Sequence, residues 1–199
     1  MKVVDLDTLK TMAAEARDGI WDAAKSMLRD PKIYLHWTAG YYNSKFNEYH
    51  VNIDGAGRYW VEYDFDTILS HTWKRNTGAV GLSLCCCAQA TSRNLGNTPP
   101  TEEQIEAMAR AIAVIANELH IPIDKRHVLT HGEAADNEDG ERCHENYGAR
   151  TTCERWDLEY LGTAESPEFN PWDESGKRGG DVLRGKAIWY QNEWAKGNV

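Results

Sequence analysis

Two histidines stand where short apolar segments run into polar loops: His36 near the end of Lys32-Ile33-Tyr34-Leu35-His36-Trp37, and His131 at the end of His127-Val128-Leu129-Thr130-His131. Residues at strand exits gather at one rim of a sheet even when they are far apart in sequence, so this pair points to a metal site. A catalytic zinc site takes three protein ligands drawn from His, Asp, Glu or Cys and keeps a fourth position open for water. The third ligand is then expected in the polar stretch after His131, where Asp157 and Cys153 are both of suitable type. No two of these residues form a short motif, so each histidine also reads as an ordinary hydrogen-bonded core residue.

The elements that must position these residues follow from periodicity. Residues 4–29 carry apolar side chains at helical spacing, interrupted by Gly19 and closed by Pro31, which reads as two short helices or one bent helix. Glu48 to Ile53 and Arg58 to Tyr63 read as two strands joined around Asp54-Gly55-Ala56-Gly57, and Ala79 to Cys87 as another. Thr101 and Gln104, directly after two prolines, form a capping box that starts a helix. Its apolar face is Ile105, Met108, Ala109, Ile112, Ala116 and Leu119, and Pro122 ends it. Residues 132–155 read as a long polar loop of functional character, and the segment from about Asp181 to Trp194 as a helix. The alternation of strands and helices with one hairpin predicts an α/β fold, a mixed central sheet flanked by helices. Two regions are expected: an N-terminal helical extension at 1–30, and one domain at 31–199 that includes the C-terminal helix.

Composition narrows the function classes. The 199 residues carry 22 basic and 31 acidic side chains, a net charge of −9, so a broad basic surface for nucleic acid is not expected. No stretch reaches the roughly 20 apolar residues of a membrane helix. The start, MKVVDLDTLK, lacks a basic region followed by an apolar one, so cytoplasmic synthesis is expected. Five cysteines, three of them consecutive at Cys85, Cys86 and Cys87, fit a reducing compartment and a buried strand better than a disulfide framework. Cys143, His144 and Cys153 match no standard metal spacing, and Glu133 to Glu141 reads as a solvated acidic insertion. Eight tryptophans and nine tyrosines are many for this length, and such rings commonly line sites for sugars or peptides.

Five segments then fall in a telling order: Ile33-Tyr34-Leu35-His36-Trp37-Thr38-Ala39-Gly40; Tyr49-His50-Val51-Asn52-Ile53-Asp54-Gly55; His71 followed by Asn76-Thr77-Gly78-Ala79-Val80-Gly81-Leu82; Thr101 to Gln104; and Val128-Leu129-Thr130-His131. From about residue 32 to about residue 161 this pattern resembles the zinc-dependent N-acetylmuramoyl-L-alanine amidases of the superfamily shared with peptidoglycan recognition proteins. Phage and prophage members resemble it most, through Arg155-Trp156-Asp157-Leu158, Tyr147-Gly148 and Leu183 to Tyr190. The resemblance implies Zn2+ held by His36, His131 and Asp157, because Arg155 then keeps a basic residue two positions before the ligand. It implies that Tyr49 contacts the attacking water or developing oxyanion and that Arg155 stands where relatives have an oxyanion-stabilising lysine. Arginine does this by hydrogen bonding and gives up no proton, which leaves Tyr49 or Glu133 as proton donor. His71, Trp73 and Asn76 fall on a loop that contacts the muramyl-peptide in the family, and His50 is second to the ligands or substrate-facing. The implied reaction is cleavage of the amide between the muramyl lactyl group and L-alanine in peptidoglycan or muropeptides, on the cell wall after release. Two alternatives share the fold: a cytoplasmic amidase that trims recycled muropeptides, and a non-catalytic peptidoglycan-binding module.

Overall fold

In the computed structural model, which describes residues 1–198, strict alternation along the strands separates two faces of one sheet. The strands are β1 (Lys2–Val4), β2 (Lys32–Trp37), β3 (Val51–Ile53), β4 (Tyr59–Val61), β5 (Ala79–Leu84) and β6 (Val128–Thr130), in spatial order β1-β4-β3-β5-β2-β6. β2 runs parallel to both β5 and β6, and β3 parallel to β5, whereas β4 is antiparallel to β3 and β1. The helices are α1 (Leu6–Ser26), α2 (Glu102–Leu119), α3 (His131–Ala135) and α4 (Gly179–Lys196). The sheet is therefore mixed and the class α/β, as the element pattern implies.

Ile33 and Leu35 of β2, with Val80, Leu82 and Leu84 of β5, join Ile20 of α1, Ile112 of α2 and Leu183 of α4 in the main core. Each such aliphatic side chain contributes about 1.5–3 kcal/mol on burial, which fixes the register of the parallel strands. The alternate residues, Tyr34 and His36 on β2 and Gly81 and Ser83 on β5, point to the opposite face. Tyr34 packs there with Ala79, Leu129 and Ala134 in a small second core. The three long helices thus support one face, and α3 and the polar loops cover the other. No helix among the described residues is long and apolar enough to cross a membrane.

The N-terminus differs from the helical extension read in the sequence. Lys2–Val4 pairs with β4, Val3 opposite Trp60, so the chain begins as an edge strand of the sheet. α1 is one continuous helix, capped by the Asp5 carboxylate accepting from Thr8 N. Gly19 does not break it: the penalty of about 1 kcal/mol for a helical glycine is outweighed by the buried stripe Leu9, Ala13, Ala16, Ile20 and Ala24. The Thr101–Gln104 capping box is present on α2, and Gln104 Nε2 also donates to Ile53 O and Cys85 O, tying the helix to the sheet. Cys85, Cys86 and Cys87 are buried free thiols.

His50 does not face a cleft, which corrects its reading as a substrate contact. It is fully buried, donates from Nε2 to Thr67 O at 2.8 Å and accepts at Nδ1 from Gly81 N at 3.0 Å. Burial, chiefly, holds its pKa down to about 4. An unfolded histidine titrates near 6.5, so the folded protein refuses a proton that the unfolded chain accepts between those values. This contribution is intact above about pH 6.5 and is lost as pH falls towards 4, on the order of 3 kcal/mol in full. Urea unfolding at pH 7 and pH 5 should show lower stability at pH 5, with a smaller drop in His50→Gln than in the wild type.

Candidate active site

The strand register brings the two rim histidines together. Leu35 pairs with Thr130 across parallel β2 and β6, so the next residues, His36 and His131, leave the sheet side by side with ring centroids 4.8 Å apart. Thr130 caps α3 with its side chain, and the resulting turn sets the direction of His131. Asp157 arrives from the far end of the polar insertion, fixed by Trp156 packing edge-on against Trp37 at 4.4 Å. Asp157 Oδ2 lies 3.7 Å from His36 Nδ1 and 3.7 Å from His131 Nδ1. Among the described residues these three form the single cluster of metal-ligating side chains, their donor atoms within 4.8 Å of one another. Cys153, the alternative third ligand, lies outside it, and backbone geometry separates the two: Cys153 N bonds to Gly148 O at φ 57°.

The donor set fits zinc. Two imidazoles and a carboxylate are a ligand type of catalytic zinc sites, and two ligand atoms about 2 Å from a common tetrahedral centre lie roughly 3.3 Å apart. The observed 3.7 Å is too long for a hydrogen bond and close to that spacing. His36 Nδ1 is buried with no hydrogen-bond partner, as is His131 Nε2. Burial, above all, holds the His36 pKa down to about 4, so the ring is neutral at pH 7 with a lone pair to offer. Burial pushes the Asp157 carboxyl up, but the neighbouring His131 and His36 outweigh it, so Asp157 is held well below the usual carboxylate range and is ionised.

Two connected lobes open over this cluster, sharing His71, His131, Glu154 and Arg155. One, about 600 Å³, is walled by Trp73, Asn76, Glu145 and Tyr147. The other, about 400 Å³, is walled by Tyr49, Trp37, Ala90 and Trp156. The Tyr49 ring lies 5.0 Å from that of His36, and its hydroxyl makes only a 3.4 Å bond to Trp37 O. Burial raises the Tyr49 pKa well above its ordinary value, so it is a proton-bearing donor at neutral pH. Arg155 is exposed in the cleft, its side chain held only by neighbouring Glu154. Asn76 faces the cleft while its Oδ1 accepts from His71 N and Thr72 N, shaping the loop. Trp73 is exposed and stacks on His144 at 5.2 Å, with Tyr147 edge-on.

Sequence reading missed what holds this cleft open. Arg75 is completely buried and donates to Asp139, Asn137 Oδ1 and Glu141 O, with His144 against its Nη1. The segment taken as a solvated acidic insertion is thereby bound to the Trp73 loop, and it brings His144 and Tyr147 to the cleft. Glu133 is likewise no proton donor. Its carboxylate is buried, bonded to both Arg184 Nη atoms at 2.8 Å and to Thr130 N, and Arg184 overcomes the burial effect to hold it down to about 2. The signal for α3 was present in the sequence, since Thr130-His131-Gly132-Glu133 is itself a capping box. No sequence signal marked the arginines, because their partners lie far along the chain.

A profile of the family described as N-acetylmuramoyl-L-alanine amidase (Amidase_2) matches residues 22–155. No curated protein matches the chain. Among solved structures, the endolysin N-acetylmuramoyl-L-alanine amidase LysCS from Clostridium intestinale is 16% identical, with TM-score 0.40, over 51% of this chain and 68% of that one. N-acetylmuramoyl-L-alanine amidase LysC from the same organism is 14% identical, with TM-score 0.39, over 59% and 78%. Drosophila PGRP-LB is 19% identical, with TM-score 0.40, over 73% and 86%. The profile takes in His36, Tyr49, His131 and Arg155, and ends two residues before Asp157, which the fold places between the histidines. With two thirds of its length under that profile, this chain belongs to the N-acetylmuramoyl-L-alanine amidase family.

Proposed function

We propose that the protein is a zinc-dependent amidase that cleaves the bond between the lactyl group of N-acetylmuramic acid and L-alanine in polymeric peptidoglycan, in wall lysis of the endolysin type. The observation that carries this reading is the convergence of His36, His131 and Asp157 at the base of an open cleft that His131 and Asp157 line, with His36 buried behind them, in a chain of this family. Zinc, when bound, supplies Lewis acidity that polarises the scissile carbonyl and makes water nucleophilic near neutral pH. The chain's own residues do the rest. Asp157 brings the negative charge that favours a divalent cation, and the imidazoles of His36 and His131 complete the donor set. Arg155 presents a permanent positive charge and N–H donors to the carbonyl oxygen as it gains charge. Tyr49 holds a proton 5.0 Å, ring to ring, from His36 and is free to turn from its long bond to Trp37 O. With Glu133 bound by Arg184, Tyr49 is the neutral donor available to the departing amine. Two open lobes meeting at the cluster suit a glycan-linked peptide that enters and leaves at both sides.

Purified peptidoglycan and soluble muropeptides, each incubated with zinc-loaded and chelator-treated protein, test the reading by the appearance of new free amino groups. Release from the polymer with zinc and none after chelation is expected. Release from soluble muropeptides alone would favour the recycling role, and zinc binding without release from either would favour a binding module. Tyr49→Phe should retain zinc while kcat falls roughly 100-fold, the usual effect of removing one oxyanion or proton donor. Steady-state rates with metal analysis check this; loss of zinc in that variant would reassign Tyr49 to a structural role.

A further inference from the structure

The loop above β5 contains a short chain of hydrogen bonds that ends on a proposed ligand. Thr72, 1% exposed, has its Oγ1 2.9 Å from His71 Nδ1 and 3.3 Å from His36 Nε2. Its backbone is fixed on both sides, Thr72 N donating to Asn76 Oδ1 at 2.8 Å and Thr72 O accepting from Arg75 N. His71 is pressed onto the sheet: a Cβ at Gly81 would lie 2.7 Å from its Cγ, so β5 needs glycine there. His71 Nε2 is buried without a hydrogen-bond partner.

Donor and acceptor counting gives this chain a direction. A His36 ring that offers its Nδ1 lone pair carries its proton on Nε2, within 3.3 Å of the Thr72 oxygen that accepts it. The Thr72 hydroxyl, with one proton, donates it to His71 Nδ1 and turns its oxygen towards His36. His36 then donates from Nε2, which leaves the lone pair at Nδ1, the atom 3.7 Å from Asp157 and without a partner.

We infer that Thr72 is a positioning residue which, backed by His71, selects the His36 tautomer whose Nδ1 lone pair faces the metal position. The inference rests on the zinc reading above and extends it to Thr72 and His71, which act on the metal position through His36. It explains why two buried polar side chains sit on the sheet face behind a ligand, where apolar residues would pack more simply. Partners of this kind typically change metal affinity 10–100-fold.

The test is zinc affinity by chelator competition for wild type, Thr72→Ser and Thr72→Val, with the His71 tautomer read from two-bond proton–nitrogen correlation spectra of the wild type with and without zinc. Thr72→Ser keeps the hydroxyl and should bind within about threefold of wild type, while Thr72→Val should bind 10–100-fold more weakly. His71 should carry its proton on Nε2 in both states. Equal affinity of Thr72→Val and wild type would overturn the inference, as would a His71 proton on Nδ1; either would leave the zinc reading standing. A wild type that binds no zinc would overturn the zinc reading itself, and with it the inference.

Discussion

Asp157→Asn should lower zinc affinity by at least about 100-fold, the upper end of what loss of an outer partner costs, and abolish amidase activity with it. The carboxylate is the one anionic member of the cluster, and it stands 3.7 Å from a nitrogen of each histidine. An amide in its place offers no charge to a divalent cation and presents donors where only acceptors are wanted. His131→Ala should behave in the same way, because it removes the second member of the pair aligned by the β2–β6 register. Cys153→Ala is the decisive control: its thiol lies outside the cluster, so zinc content and turnover should stay at wild-type levels. Zinc loss in Cys153→Ala with zinc retained in Asp157→Asn would mean that the third ligand has been misassigned. Metal analysis of the three variants after gel filtration, with circular dichroism to confirm folding, separates these outcomes.

The second large effect is on stability. Arg184→Met should destabilise the fold by about 3–5 kcal/mol, because it strands the buried Glu133 carboxylate without its bidentate partner. Glu133 is 1% exposed and Arg184 5%, so water does little to screen the pair. Arg184 also donates to Val128 O and Asp181, and Glu133 accepts from Thr130 N at the start of α3. The pair therefore clamps α4 to the turn that begins with His131. Glu133→Gln combined with Arg184→Met removes both charges and should recover much of the loss, since replacing a whole buried pair is far less destabilising than breaking it. Urea unfolding of the single and double variants measures the coupling; an Arg184→Met loss below about 1 kcal/mol would show that the pair is not a structural clamp.

These two predictions mark what was and was not legible in the sequence. His36 and His131 could be picked out because each follows an apolar strand, and parallel pairing then places strand ends together. Asp157 could not be chosen over Cys153 from residue types; the resemblance to Arg-Trp-Asp segments favoured it, and the Trp156–Trp37 contact now explains its placement. The capping box of α2 was readable because it is local, and that of α3 was equally local but hidden in a run read as loop. β1 escaped notice because three mostly exposed residues carry no period, and only distant β4 makes them a strand. Arg75, Arg178 and Arg184 look like surface charge in sequence. They are buried because Asp139, Glu138, Glu159 and Glu133, all distant along the chain, meet them with paired hydrogen bonds. Such long-range pairings are what turn an acidic insertion into a wall of the cleft.

The central claim is one bond broken by one metal-dependent site, and the most direct measurement is mass spectrometry of the products from purified peptidoglycan. Zinc-loaded protein should release stem peptides that begin with a free L-alanine amine and leave glycan strands bearing free lactyl carboxylates, with neither product after chelation. Fragments cut within the peptide or the glycan, or the same products in undiminished yield without metal, would contradict the account.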